Sequence, residues 1–196
     1  MRLALTMLLG LVAIGCAANA VQRLDLRDPR LPAEARRWLA DAEDEVAIAW
    51  ARMDDARAQL RRLEEYRDEQ LDRLGELKPG PAKAEGQKAT RAFESYADAR
   101  VELAEMELEA TEVSLELART RLTQARAETA VRYDVAVYDL APIVREVELL
   151  RGGVAAYERE LEEQRATVEK KAAEAWVAYS RYVSKGGVSN ALWSSP

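Results

Sequence analysis

The sequence predicts an all-α fold, an elongated antiparallel helical hairpin extended to a three-helix bundle or coiled coil, and three observations carry that prediction. Apolar residues recur in alternating steps of three and four along three long segments, so each segment turns one stripe inward. Ala, Glu, Arg and Leu dominate a chain with 33% charged residues and a single Phe, a bias of long helices that leaves little from which to build strands. A segment with two prolines and two glycines, PGPAKAEG, divides the first periodic stretch from the second. With 196 residues, 48% of them hydrophobic, the chain suits one domain with a buried core.

The first 32 residues stand apart from the helical pattern. Met1 and Arg2 precede an apolar run over residues 3–14, the length of a secretory signal core and short of the ~20 apolar residues that a membrane span needs. Extending the run to Val21 as an uncleaved anchor meets Cys16 and Asn19. Small residues flank Cys16, the single cysteine, in Ala13-Ile14-Gly15-Cys16. This tetrapeptide resembles the lipobox of bacterial lipoproteins, with Ala13 where Leu is commonest. The resemblance implies a signal peptide over 1–15 and Cys16 as the lipid-attachment residue that opens the mature chain. With Ala17 rather than Asp next to it, the resemblance also implies an outer membrane lipoprotein facing the periplasm. Ala18-Asn19-Ala20 is a competing A-x-A cleavage site that would discard Cys16 and leave a soluble periplasmic or secreted protein. Either cut exports the chain. Residues 16–32, with Pro29 and Pro32 and no sustained period, are expected to form a flexible tether.

The first helix is predicted over 33–78. Its stripe runs through Leu39, Ala42, Val46, Ala49, Met53, Ala56, Leu60 and Leu63, is interrupted at Arg67 and Gln70, and resumes at Leu74 and Leu77. Pro32 is tolerated at a helix start, and the Pro-Gly segment from Lys78 ends it. A second helix over 84–138 carries Ala97, Val101, Ala104, Leu108, Thr111, Leu115, Ala118, Leu122 and Ala125. Ala alternating with larger residues predicts close approach of the two backbones. Leu103, Met106, Ala110, Val113 and Leu117 add a second apolar row on another face, so this helix needs two partners.

A third helix over 142–185 supplies the second partner, with Ile143, Val147, Leu150, Val154, Tyr157, Leu161, Val168, Ala172, Ala175, Tyr179 and Val183 in line up to the stop at Gly186-Gly187. Asp139 as a cap and Pro142 in a first turn favour a reversal near 138–142. The intervening DVAVYDLA has no Gly, however, so a kinked continuous helix is the alternative, and Gly152-Gly153 is another candidate break. Residues 186–196, with Trp193, form a C-terminal tail.

Composition excludes several functions. The chain has no histidine, which removes Ser-His-Asp and Cys-His nucleophilic arrangements, His ligands for zinc and the Glu-x-x-His di-iron motif. No cofactor and no metal are expected, and the chain reads as no enzyme. Glu102, Glu105, Glu107, Glu109, Glu112 and Glu116 lack EF-hand spacing and read as a solvated face. A net charge of -6 argues against nucleic acid as a partner.

The three-helix arrangement gathers Phe93, Tyr96, Trp176, Tyr179 and Tyr182, joined by Tyr66, toward one end. The six lysines, Lys78, Lys83, Lys88, Lys170, Lys171 and Lys185, fall in segments at the same end. That end reads either as a partner-contact tip of aromatic anchors with a basic rim or as a bundle end closed by bulky core residues. A lipid-anchored, non-enzymatic periplasmic scaffold or adaptor of the cell envelope, acting through coiled-coil contacts, is the function these features point to. Its expected partners are the membrane, through the N-terminal lipid, and an envelope protein; heptads also serve a homo-oligomer. The alternative is a soluble periplasmic holdase resembling helical chaperones, whose arms are usually basic where this chain is acidic. Helical hairpins of efflux-channel components share the heptads, but this chain lacks their strand-forming segments.

Overall fold

A computed structural model describes residues 28–75 and 83–187. Three helices follow one another: α1, Ala33–Gly75; α2, Lys83–Arg132; and α3, Ala141–Ser184. There is no strand among the described residues. At 1.5 Å per residue each helix is about 65–75 Å long. α1 and α3 both pack along α2 and scarcely meet each other, so α2 is the middle member of the array. This is why α2 is apolar on two faces: Leu115 and Ala118 pack against Ala49 and Met53 of α1, while Val113 lies against the backbone of α3 at Gly153.

The chain does reverse between α2 and α3, and no kinked continuous helix forms. The reversal comes earlier than predicted. α2 stops at Arg132 instead of 138, because Asp134 takes a left-handed conformation, with φ of 59°. The Val135 N–H then donates to the Ala130 carbonyl at 2.8 Å, and the Asp134 N–H donates to Val131 at 3.3 Å. These two bonds are the Schellman closure, usually built on glycine. Asp is among the few other residues that enter this conformation readily. α3 closes in the same way at the predicted glycines. Gly186 has φ of 87°, Gly187 N–H donates to Tyr182 at 3.0 Å, and Gly186 N–H donates to Val183 at 3.0 Å. Asp139 Oδ1 accepts from the Ala141 N–H at 3.0 Å, and Pro142 sits in the first turn of α3. Gly152 and Gly153 lie inside α3 without breaking it.

Buried clusters hold the array at different heights. At the base, where α1 begins and the α2 to α3 turn lies, Leu31, Ala35 and Leu39 pack with Ala125, Ala130, Tyr133 and Tyr138. Leu31 is 2% exposed, which corrects the last five residues of the expected tether: residues 28–32 form a turn seated on the bundle, because Leu31 has an apolar pocket to enter. Signal residues 1–15 with Cys16, the linker up to residue 27, and the tail from residue 188 with Trp193 lie outside the described residues, as do Leu77 and Lys78. In the middle, Ala49, Met53, Leu115 and Ala118 bring α1 against α2. At the far end Tyr66 and Leu71 of α1 meet Phe93, Tyr96 and Ala97 of α2 and Ala175 of α3.

Candidate functional site

The aromatic residues at the far end separate into a core and a surface. Phe93 and Tyr96 are buried one turn apart on α2, ring centroids 6.1 Å from each other in an edge-to-face arrangement. The Arg100 guanidinium lies 5.7 Å from the Tyr66 ring centre and 5.6 Å from that of Tyr96, so a cation holds α1 and α2 together here. Tyr179 and Tyr182 are buried with Ala89 in the adjoining cluster. Trp176 is 59% exposed, its ring centre 6.1 Å from that of Tyr179. Four of the five proposed tip residues therefore close the bundle end, and Trp176 alone of the five presents itself to solvent. Of the lysines, Lys88 pairs with Glu85 at 3.1 Å, and Lys170 and Lys185 are exposed.

A second feature lies outside what the periodicity predicts. Between α1 and α3, with α2 as its floor, runs an open groove of about 890 Å³. The rows of α2 that face α1 and α3 are separated by roughly 145° at 100° per residue, so the two outer helices leave this side of α2 uncovered. Small residues, Ala110, Thr111, Ser114 and Ala118, make the floor, with Ile48 on the α1 wall and Val154 and Ala155 on the α3 wall. Glu107 spans the groove: one carboxylate oxygen accepts from Gln59 of α1 at 3.5 Å, the other from Arg165 of α3 at 3.4 Å. The second apolar row of α2 was the sequence signal for two partners. That those partners would flank α2 instead of closing over it was not legible.

The glutamates on the opposite side of α2 are mostly engaged. Glu102 accepts from Gln164 at 3.2 Å, Glu112 pairs with Arg57 at 3.7 Å and Glu116 with Arg119 at 3.4 Å. Glu109 accepts from the Tyr157 hydroxyl at 3.2 Å. Burial, and secondarily the Glu109 charge, raises the Tyr157 pKa above its usual value. Among the described residues no three acidic or cysteine side chains converge as metal ligands would, and no helix is long and apolar enough to cross a membrane. The chain matches no protein-family model, no curated protein and no solved structure.

Proposed function

We propose that this protein is a lipid-anchored, non-enzymatic scaffold or adaptor of the bacterial cell envelope, held at the outer membrane by Cys16 and acting in the periplasm through its helical body. The observation that carries the reading is the separation of the two ends. Residue 28 enters at the base beside the α2 to α3 turn, and Trp176 lies near the opposite end, beside the cluster of Tyr179 and Tyr182. With Cys16 lipidated, the linker to residue 27 reaches up to roughly 40 Å at about 3.3–3.6 Å per residue, and two or more acyl chains make attachment effectively permanent. The helical body then holds a half-exposed indole several nanometres farther along.

Mass spectrometry of the mature N-terminus with detergent partitioning tests the anchor. The expected product begins at an acylated Cys16 and follows the detergent. A product that begins at Val21 and stays in the aqueous phase would return the chain to the soluble holdase reading. Photocrosslinking in cells from position 176 tests the contact: it should capture an envelope protein that a probe at the exposed Leu149 does not.

A further inference from the structure

We propose that the open groove side of the array is covered by the same side of a second copy of this chain, running antiparallel about a two-fold axis near Val154 and Ala155 of α3. The inference goes beyond the scaffold reading and does not rest on the lipid anchor, since every residue it uses lies in the helical body.

The two broad sides of the array differ in charge. One carries the acidic row Glu102, Glu105, Glu109, Glu112 and Glu116 along α2, of which Glu112 and Glu116 are already paired with Arg57 and Arg119 of the same chain. The groove side is balanced, with four acidic and four arginine side chains among its lining residues. The side chains of Arg52, Asp55 and Glu158 form no hydrogen bond or ion pair among the described residues. Arg151 is bonded within α3 to Glu148 at 2.7 Å and keeps further donors free. Charged residues of both signs around a strip of small ones are what a self-complementary contact requires.

Register decides the direction of pairing. Along α3 the lining residues Arg151, Val154, Ala155 and Glu158 reverse sign about the centre of that stretch, and Leu161 and Arg165 extend the lining beyond it. Antiparallel packing about that centre sets Arg151 of each copy against Glu158 of the other, twice by symmetry, with Val154 over Ala155 between them. Parallel packing sets like against like. The contacts of Leu115 with Met53 and of Val113 with Gly153 place Arg52 and Arg151 at about the same height, so α1 over α3 would bring those two arginines together.

The full chain, extracted in detergent, tests this by sedimentation velocity and disulfide trapping. The wild type should sediment as a concentration-dependent dimer. Arg151→Glu should raise the dimer dissociation constant about tenfold, the effect of reversing two exposed pairs at roughly 0.7 kcal/mol each. Adding Glu158→Arg should restore it. Ala155→Cys should form an intermolecular disulfide on mild oxidation, whereas Leu149→Cys on another face should not. A monomer at all concentrations, a dimer indifferent to Arg151→Glu, or equal trapping from both cysteine variants overturns the proposal. Circular dichroism of each variant separates lost pairing from lost folding, and the charge-swapped double variant supplies the folded positive control.

Discussion

Arg126 on α2 donates through Nη2 to Glu43 Oε1 on α1 at 2.8 Å, the tightest ion pair between helices among the described residues. The two side chains are 21% and 39% exposed, and Arg126 Nε is buried without a hydrogen-bond partner. Removing Glu43 leaves a mostly buried guanidinium without its carboxylate partner. Glu43→Ala is expected to destabilise by about 1 kcal/mol, and Arg126→Met, which removes the charge and keeps the apolar stem, by less. Urea unfolding of the two variants checks the order.

Thr129 is fully buried at the base, and its hydroxyl makes no hydrogen bond. Val has nearly the same shape and carries no polar atom to desolvate. Thr129→Val is expected to be neutral or to stabilise by up to about 1 kcal/mol. A clear loss of stability in thermal melting would mean that the hydroxyl has a partner when folded.

The two Schellman closures predict opposite glycine effects. Asp134 has φ of 59°, where a Cβ is strained, so Asp134→Gly should stabilise by up to about 1 kcal/mol. At Gly187 an added Cβ would lie 2.4 Å from the Tyr182 ring. Gly187→Ala should therefore displace Tyr182 and loosen the far end, read as faster hydrogen exchange in the last turns of α3 with the base unchanged.

Gly152 lies inside α3 with nothing within 4 Å of an added Cβ. Gly152→Ala should raise stability by about 0.5–1 kcal/mol, since the cost of ordering glycine in a helix is removed and no contact is disturbed. A shift in thermal midpoint measures it.

Asp28 accepts from both the side chain and the backbone N–H of Arg30, at 2.6 and 3.0 Å, and these bonds lower its pKa to about 2. An unfolded Asp titrates near ~3.9. The folded pKa is depressed, so the contribution is fully present above about pH 4 and fades as pH falls toward 2. Asp28→Asn should melt below the wild type at pH 6, and the gap should close by pH 2.

Much of this architecture was written into local pattern. Heptad stripes fixed the existence of three helices, Pro32 and Gly186-Gly187 fixed two of their ends, and the second apolar row of α2, with Val113 and Leu117, announced two neighbours. The α2 end escaped prediction because Asp134 does what glycine usually signals. Leu31 escaped because one leucine between prolines has no period. The aromatic residues were correctly gathered at one end, but sequence could not say which ring points out. Periodicity reports how a side chain lies relative to its own helix axis, so by itself it determined helices, faces and the need for partners. Where those partners sit around α2 depends on helices distant in sequence. Only the tertiary structure, by placing α1 and α3 on flanking sides of α2, decided that Trp176 is exposed and that a groove with both signs of charge remains open.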